Sequence, residues 1–368
     1  MSVTMKDIAM LAGISRQAVS AVLSGSVHTR VSEATSERVL KLARELNYIP
    51  NQAARSLSGG TTHTIGLFGN LFSPYGIHAA LLAEISGSLR SQGYQVIGGD
   101  CGFGAAPDAA RSLAGFISRG VDGIIVCDLP RQLDDLAHAL SVPHVLSSPR
   151  VGDREFDVGI DMARAGHVGT KHLVEHGHRH IAYLRIAAHE ADGRITGWRQ
   201  ALRDNGIEDA DRFLLSLRDL DGDADALLRE IKRLKVTAVY THNDSIAAKL
   251  MKALLQRGVG VPDDIAVVGF DGSSFAEFCP IPLTTVVQPI RKQAEAITEL
   301  LFERIGKAEI RAPAANILIL PLLYRGGSCG CPARTVDKLY RINSPNTLEL
   351  DYRLNSGIDI TDICDQCP

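Results

Sequence analysis

Apolar residues near the start of the chain recur every three or four positions, which is the spacing of amphipathic helices. The three predicted helices cover residues 5–11, 16–23 and 33–46. Thr4, Ser15 and Ser32 precede them as capping residues, and Gly13 separates the first two because glycine adopts positive φ easily. The inward-facing positions are Ile8, Val19, Val22, Leu23, Val39, Leu42, Ala43 and Leu46. Two short helices joined by a glycine turn predict a helix-turn-helix.

Four residues lie on the outer face of the second predicted helix. These are Arg16, Gln17, Ser20 and Ala21. Arginine and glutamine can make paired hydrogen bonds with guanine and adenine edges in the major groove of DNA. An ordinary packed helix pair has the same apolar spacing, so the DNA-reading interpretation depends on the residues that come after this pair in the chain.

From residue 64 onward, short β-branched runs alternate with helical stretches. The predicted strands are 64–69, 95–99, 121–126, 143–146, 181–184, 238–241, 265–270, 284–287 and 317–323. The predicted helices are 79–92, 109–119, 131–140, 166–175, 194–205, 226–234, 245–256 and 290–305. This alternation predicts two doubly wound lobes with parallel sheets. Ligands in such sheets bind outside the carboxyl ends of the strands, here in a cleft between the lobes.

Charge is distributed unevenly along the 368 residues, although the net charge is only −3. Residues 1–60 contain seven of the 39 Lys and Arg residues but four of the 42 Asp and Glu residues, which leaves +3 there and −6 in the remainder. A basic start on an acidic body predicts a nucleic-acid footprint limited to the start. Because +3 is modest, shape and dimerisation must supply much of the affinity.

Several classes of protein are disfavoured by the sequence. No segment reaches the roughly 18 apolar residues of a membrane span, and no basic run precedes an apolar core at the start. The seven cysteines, at 101, 127, 279, 329, 331, 364 and 367, do not form a secreted disulfide framework. We therefore predict a cytoplasmic protein that does not bind membranes.

Residues 3–57 closely resemble the DNA-binding headpiece and hinge of LacI/GalR-family bacterial transcription regulators. The helix-turn-helix, the third helix and the run Asn47-Tyr48-Ile49-Pro50-Asn51 occur in the expected order. Phrases at 175–182, 258–271 and 282–286 extend the resemblance to about residue 328. It implies an all-α helix-turn-helix headpiece plus an α/β two-lobed, periplasmic-binding-protein-like effector domain. The expected divisions are a headpiece at 1–48, a hinge helix and linker at 49–61, the effector-binding and dimerisation domain at 62–328, and a cysteine-containing tail at 329–368.

The resemblance also implies a set of DNA-binding residues. They are Thr4, Ser15, Arg16, Gln17, Ser20, Ala21, Tyr48, Asn51, Ala54 and Leu57. Residues 50–57 would form a hinge helix in the minor groove, with Leu57 as the wedge that unstacks a central base step and Ala54 beside it. Where the family often has Thr-Val-Ser-Arg, this chain has Ala18-Val19-Ser20-Ala21. Since Ala21 cannot make a paired guanine contact, Arg16 and Gln17 are expected to carry direct readout.

Three effector-binding residues are implied by the same resemblance. Arg194 stands in the phrase Asp192–Trp198 of the family, Asn243 follows one predicted strand, and Asp271 follows another. Together they could hydrogen-bond the hydroxyls of a sugar-like ligand, although Asn and Asp also cap loops. Trp198 is expected in the core. Phe72 or Tyr75 of the first lobe could add an aromatic wall to the site, and the sequence does not decide between them.

Metal binding and catalysis are weakly indicated. His172 and His176 are four residues apart on a helix, but no further ligand is apparent at a defined offset, so no metal and no cofactor is predicted. Cys329 with Cys331, and Cys364 with Cys367, resemble half-sites of a structural zinc. The alternative interpretation is that these cysteines belong to a disordered or loosely packed tail. The chain has no Gly-x-Ser-x-Gly elbow, P-loop or His-Glu-x-x-His helix.

The resemblance implies a homodimeric bacterial transcription regulator, in this family usually a repressor, that is associated with the nucleoid when bound to its operator. It is not predicted to be an enzyme. Its expected partners are operator double-stranded DNA and a small effector that is sugar-like or nucleobase-like. A solute-binding receptor would share the two lobes, but would not need a DNA-reading start. A sugar-processing enzyme would need catalytic groups in the cleft, and none is visible.

Overall fold

The structure, a computed structural model, describes most of the chain in two compact units, Met1–Thr62 and His63–Pro368. The described residues are 3–24, 31–48, 61–69, 76–100, 106–127, 139–147, 156–186, 192–217, 220–276, 278–310 and 314–331.

The N-terminal unit is a three-helix bundle whose helices begin and end close to the predicted positions. The helices are α1 (Met5–Ala12), α2 (Arg16–Ser24) and α3 (Glu33–Glu45). Ile8, Val19 and Val39 are fully buried and form the centre of the bundle. Gly13 ends α1 with φ 65°, the left-handed conformation that the turn requires. The Arg38 guanidinium of α3 donates to the Ala12 carbonyl and ties α3 to that turn.

Capping hydrogen bonds are present at the start of each helix of this unit, although at α1 the Asp7 side chain, and not that of Thr4, accepts from a backbone N–H. The Asp7 carboxylate accepts from both the backbone N–H and the hydroxyl of Thr4, at 2.8 and 2.7 Å. Ser15 Oγ accepts from the backbone N–H of Ala18 at 3.2 Å, and Ser32 Oγ accepts from that of Thr35 at 3.3 Å. These bonds satisfy backbone donors that the first turn of a helix leaves without an intrahelical partner.

The C-terminal unit contains two lobes, each built on a six-stranded sheet. The first lobe contains β1 (Thr64–Gly69), α4 (Gly76–Ser91), β2 (Gln95–Asp100), α5 (Ala106–Ser118), β3 (Gly123–Cys127), β4 (His144–Ser147) and β5 (Val158–Ile160). The second lobe contains α6 (Met162–Glu175), β6 (Ile181–Ile186), α7 (Gly193–Asp204), β7 (Leu214–Leu217), α8 (Leu220–Arg233), β8 (Ala238–Thr241), α9 (Asp244–Leu255), β9 (Ala266–Asp271) and β10 (Thr284–Val287). The chain then returns to the first lobe with α10 (Ile290–Lys307) and β11 (Ile317–Ile319), and ends in the second with β12 (Leu322–Tyr324).

The strand orders are β11-β5-β4-β3-β1-β2 and β12-β10-β9-β8-β6-β7. Among the described strands, all pairings are parallel except that of β12 with β10. In the second lobe the direction of winding reverses between β6 and β8, which is where such sheets open a ligand crevice. The chain passes between the lobes three times, after β5, after β10 and after β11, so the two lobes share three connections.

The prediction of one last strand at 317–323 is wrong. Two short strands occur there, and they belong to different sheets. Leu320 and Pro321 lie between them, and proline has no N–H to donate to a ladder. The short strands β5 and β7 escape prediction because Gly159 and Ser216 interrupt their apolar runs. Most of the predicted helix 131–140 lies outside the described residues.

The core is formed by the apolar strands and the inner helix faces. In the second lobe Trp198 is fully buried and its indole N–H donates to the Ile181 carbonyl at 3.3 Å, as predicted for a core residue. None of the helices in the described part of the chain combines the length and the hydrophobicity that a membrane span requires.

The packed part of the second lobe extends into the predicted tail. Cys329 and Cys331 are buried in its core, so a loosely packed segment beginning at residue 329 is wrong for these positions. Ser328 anchors this segment to the sheet of the second lobe, because its hydroxyl donates to the Val267 carbonyl at 2.6 Å and accepts from the Thr284 N–H at 2.8 Å. Residues 332–368, with Cys364 and Cys367, lie outside the described residues.

Helices α6 and α7 cross so closely that two glycines are required at the contact. A Cβ built on Gly197 would lie 1.8 Å from the Ala163 carbonyl oxygen, and one on Gly166 would lie 2.0 Å from the Arg194 carbonyl oxygen. The obstructing atoms are backbone, so no side-chain rotation can relieve the clash. This contact places the beginning of α7, with Arg194, against α6.

We expect Gly197→Ala to lower the free energy of unfolding of the C-terminal unit by about 1–3 kcal/mol or more, because the two helices must separate. Gly87→Ala is the matched control, since Gly87 is also helical and a Cβ there meets nothing within 4 Å. Gly87→Ala is expected to raise the free energy of unfolding by about 0.5–1 kcal/mol, because alanine has a higher helix propensity than glycine. Thermal melts by calorimetry measure both, and equal midpoints would contradict the close contact between the helices.

Candidate functional site

The predicted DNA-reading face of the N-terminal unit is exposed in all but one position. Thr4, Ser15, Arg16, Gln17 and Ser20 are exposed, while Val19 anchors the opposite side of α2 in the core. The face therefore offers a hydroxyl at the start of α1 and a guanidinium and an amide in the first turn of α2. Side chains from the start of a recognition helix are the ones that contact base edges in helix-turn-helix proteins.

Ala21 departs from the prediction that it faces outward. It is buried, at 9% exposure, although Gln17 and Ser20 on the same stretch of helix are exposed. A methyl group is the shortest side chain on this face and does not extend as far as its neighbours. This supports the expectation that Ala21 contributes no paired base contact.

The remaining predicted DNA-binding residues lie at or beyond the end of the bundle. Tyr48 is half-buried against the headpiece core, and its N–H donates to the Ala43 carbonyl at 2.8 Å. Its ring therefore also has a packing role. Asn51, Ala54 and Leu57 lie outside the described residues, and so does the predicted hinge helix.

Arg194 is the centre of a buried polar cluster in the second lobe. Its Nε donates to the Asp192 carboxylate at 2.9 Å, and Nη1 donates to the His242 carbonyl at 2.5 Å. The guanidinium carbon lies 4.4 Å from the centre of the Phe270 ring, which provides a cation–π contact. The sequence predicts Arg194 but not its partners Asp192 and His242, both of which are buried to about the same degree.

These side chains meet because of where their elements begin and end. Asp192 and Arg194 follow β6 at the start of α7, His242 and Asn243 follow β8, and Asp271 ends β9. β6, β8 and β9 are neighbours in the sheet, so their carboxyl ends lie together at the point where the winding reverses. We call Asp192, Arg194, His242, Asn243 and Asp271 the polar cluster.

Asn243 and Asp271 are both buried, and each also has a structural partner. Asn243 Oδ1 accepts from the Ile246 N–H at 3.0 Å and so caps α9, which is the local role that the sequence left open. Asp271 Oδ1 accepts from Gln288 Nε2 at 2.8 Å. The backbone of Asp271 has φ 115°, and this strained conformation directs the chain at the end of β9.

Charge is tightly balanced in the polar cluster. Burial opposes ionisation of Asp192, but the Arg194 charge and the hydrogen bonds from His242 and Arg194 outweigh it and hold its pKa well below the usual range. Burial raises the pKa of Asp271 to about 6, against the lowering effect of Arg194, Gln288 and His78. Because Asp271 takes up a proton far more readily than Asp192, the cluster contains one fixed carboxylate and one that titrates near neutral pH.

The first lobe contributes one described residue to this electrostatic environment. His78, near the start of α4, is close enough to Asp271 to lower its pKa. Phe72 and Tyr75, the possible aromatic wall, lie outside the described residues. The polar cluster is therefore within electrostatic reach of at least one residue of the first lobe.

The prediction of no metal site is challenged by a second cluster. His172 and His176 of the second lobe lie beside Cys329 and Cys331, and the four potential ligand atoms are all within 4.8 Å of one another. The sequence does not reveal this grouping, because the two thiols come from a segment more than 150 positions away. The pairs of His and Cys at short spacing are the available signal.

Comparison with known proteins identifies the family. The model of the lacI family of bacterial regulatory proteins matches residues 4–51, and that of a periplasmic binding protein-like domain matches residues 170–329. The chain is 34% identical over 324 residues to the HTH-type transcriptional repressor PurR of Vibrio parahaemolyticus, covering 83% of this chain and 93% of that protein. It is 32% identical over 339 residues to the HTH-type transcriptional regulator CelR of Thermobifida fusca, covering 88% and 97%.

Solved structures agree with this assignment. The Lac repressor dimer bound to operator and the anti-inducer ONPF matches with a TM-score of 0.78 and 25% identity, over 89% of this chain and 99% of that one. A CelR–cellobiose complex matches with a TM-score of 0.61 and 28% identity over the same shares. A helix-turn-helix head joined to a two-lobed ligand-binding unit defines a ligand-controlled, DNA-binding transcription regulator. The chain belongs to the LacI family.

Proposed function

We propose that this regulator represses transcription as a homodimer, and that a sugar-like ligand between the lobes controls its affinity for a roughly palindromic operator. The observation that carries the proposal is the buried polar cluster at the carboxyl ends of β6, β8 and β9. A guanidinium and a titratable carboxylate side by side can donate to and accept from neighbouring hydroxyls of a sugar ring. CelR, whose structure holds cellobiose, supports the sugar-like class.

Control of DNA binding would run through the three connections between the lobes. A ligand that contacts Arg194 and Asp271 on one side and the first lobe on the other favours one relative arrangement of the lobes. In a dimer that arrangement changes the spacing of the two hinges at 49–61, and so of the two heads. The coupling is reciprocal, because the operator must alter ligand affinity by the same factor as the ligand alters operator affinity.

A two-stage experiment tests this proposal. Thermal-shift screening of full-length protein against monosaccharides, disaccharides including cellobiose, and nucleobases identifies a ligand. Operator affinity is then measured by fluorescence anisotropy with and without it, at one fixed salt concentration, because phosphate contacts make affinity steeply salt-dependent. A ligand that shifts the melt but leaves operator affinity unchanged would contradict ligand control, and a preference for nucleobases over sugars would contradict the sugar-like class.

Arg16 and Gln17 are expected to carry direct base readout, because they are exposed in the first turn of α2 while Ala21 is buried. Arg16→Ala should weaken binding to the preferred operator by about 1–3 kcal/mol and relax preference at one position of each half-site. Arg44→Ala is a matched control, since Arg44 is an exposed arginine on α3. Selection from a randomised duplex library measures the preference, and unchanged preferences in Arg16→Ala and Gln17→Ala would show that other residues read the bases.

Ligand affinity should fall as the pH drops through about 6, where Asp271 takes up a proton. The sign follows because a carboxylate accepts ligand hydroxyls and a protonated carboxyl loses part of that capacity; the limiting slope is about tenfold per pH unit. Isothermal titration at several pH values measures it. Asp271→Asn should flatten the profile, and His78→Gln separates the titration of the neighbouring imidazole. A profile unchanged in Asp271→Asn would remove Asp271 from the site.

A further inference from the structure

Four potential metal ligands from two distant segments converge in the second lobe. His172 lies in the last turn of α6 and His176 directly follows the helix, so the two rings stand one turn apart with centroids 4.6 Å from each other. Cys329 and Cys331 follow β12, and the thiols project into the same place. We call His172, His176, Cys329 and Cys331 the His/Cys cluster.

The separations within the His/Cys cluster match those of a tetrahedral metal site. Cys329 Sγ lies 3.2 Å from His172 Nε2. Cys331 Sγ lies 3.7 Å from that nitrogen and 3.2 Å from His176 Nε2. With Zn–S bonds of about 2.3 Å and Zn–N bonds of about 2.0–2.1 Å, tetrahedral sulfur and nitrogen ligands are about 3.6 Å apart. Since the widest of all the separations is within 4.8 Å, small movements of the side chains complete the geometry.

The surroundings also suit a bound metal. His172, Cys329 and Cys331 are buried and His176 is partly buried, so a metal would be shielded from competing water. Thr284 Oγ1 lies 2.9 Å from Cys329 Sγ, where a hydroxyl can donate to a thiolate and orient it.

We propose that the His/Cys cluster is a structural site for one zinc ion. Two sulfur and two nitrogen ligands in a tetrahedral arrangement favour zinc over magnesium or calcium, which take oxygen ligands. Binding releases the protons of the two thiols, and the resulting thiolates neutralise the divalent charge. All four positions are filled by protein atoms, so the metal has no open position for a substrate.

The expected role of the zinc is to hold the end of the second lobe in place. Cys329 and Cys331 belong to the segment that covers the amino ends of β9 and β10, where Ser328 bonds Val267 and Thr284. The polar cluster lies at the carboxyl ends of β6, β8 and β9, at the opposite edge of the sheet. The zinc site is therefore separate from the ligand site, and it goes beyond the proposed function.

Metal analysis of full-length protein, purified without a histidine tag and under a non-chelating reductant, tests the proposal. Inductively coupled plasma mass spectrometry is expected to find about one zinc per chain. The Cys364→Ser/Cys367→Ser double variant is the matched control and should retain it, whereas His176→Gln and Cys331→Ser should lose most of it. Retention in His176→Gln and Cys331→Ser, or loss in the control, would overturn the proposal in favour of a site in the tail.

X-ray absorption of the wild-type protein keeps the test independent of whether the variants fold. The expected zinc shell has two sulfur ligands at about 2.3 Å and two nitrogen ligands at about 2.0–2.1 Å. A shell of four sulfurs would assign the metal to other cysteines, and a shell dominated by oxygen would indicate adventitious binding; either result overturns the proposal. So would protein that takes up no zinc when supplied with it, or in which Cys329 and Cys331 are joined as a disulfide.

Discussion

Arg194→Ala is expected to abolish control of operator binding by the ligand. The Arg194 guanidinium is the one described cation that contacts Asp192, His242 and the Phe270 ring at once, and it also lowers the pKa of Asp271. Each charge-assisted hydrogen bond to the ligand is worth about 1.5–3 kcal/mol, so losing even one should weaken ligand binding about 10- to 150-fold. Isothermal titration and operator anisotropy measure the two effects.

A second effect of Arg194→Ala must be separated from the first. Asp192 would remain buried without its cation, and breaking a buried ion pair costs about 3–5 kcal/mol of stability. Arg194→Lys is the informative companion, because it keeps the charge beside Asp192 but loses the planar set of donors. We expect the lysine variant to recover much of the stability and little of the ligand affinity.

Operator binding by ligand-free protein reports whether these variants remain folded. Variants that bind the operator normally but no longer respond to ligand are the expected outcome. A variant Arg194→Ala that binds and responds to the ligand like the wild type would show that the effector site lies elsewhere. Asn243→Ala should have a smaller effect on binding, since Asn243 Oδ1 is already used by the Ile246 N–H.

Arg304→Ala is expected to destabilise the first lobe strongly. Its two terminal nitrogens donate to the two Asp157 carboxylate oxygens at 2.8 and 2.7 Å, and both side chains are buried. The pair ties α10 to the start of β5. Loss of one partner leaves an uncompensated buried charge, so the free energy of unfolding should fall by about 3–5 kcal/mol.

Glu303→Ala provides the matched control on the same helix. Glu303 pairs with Lys307 at 2.5 Å, but both side chains are more than half exposed, and exposed pairs add little to stability. The midpoints of calorimetric melts of Arg304→Ala and Glu303→Ala should differ widely. The double change Asp157→Leu/Arg304→Met should recover only part of the loss, because the Leu146 and Ala315 N–H groups also donate to Asp157. Equal melts for Arg304→Ala and Glu303→Ala would show that the buried pair adds no more than the exposed one.

Local chemistry makes most elements predictable from the sequence. Ser15 and Ser32 cap the helices that follow them, and Gly13 takes the left-handed conformation that the turn needs. The bounds of the N-terminal helices are therefore predicted within a residue or two. Apolar strands such as β1 and β8 are predicted at their observed bounds. β5 and β7 are not predicted, because Gly159 and Ser216 interrupt their short apolar runs.

Long-range pairing limits what the sequence can say about the sites. Arg194 is predicted by resemblance, and Asp192 lies only two residues before it, but the contact with His242 depends on β6 and β8 being neighbours, which a linear sequence does not display. The same reason explains the His/Cys cluster, since His172 and Cys329 are brought together only by the final return of the chain to the second lobe. The prediction that Ala21 is exposed on the outer face of α2 is wrong, because spacing indicates which way a residue points and not how far its side chain extends.

Ligand-controlled, sequence-specific DNA binding can be tested by selecting bound sequences from a randomised duplex library, with full-length protein at one stated salt concentration. The selection is run without ligand and again with each ligand found by the melt screen. We expect a two-fold symmetric sequence with a flexible pyrimidine–purine step at its centre, enriched in one ligand condition and depleted in the other. Binding that is salt-sensitive but selects no sequence in any condition would contradict a ligand-controlled, sequence-specific regulator.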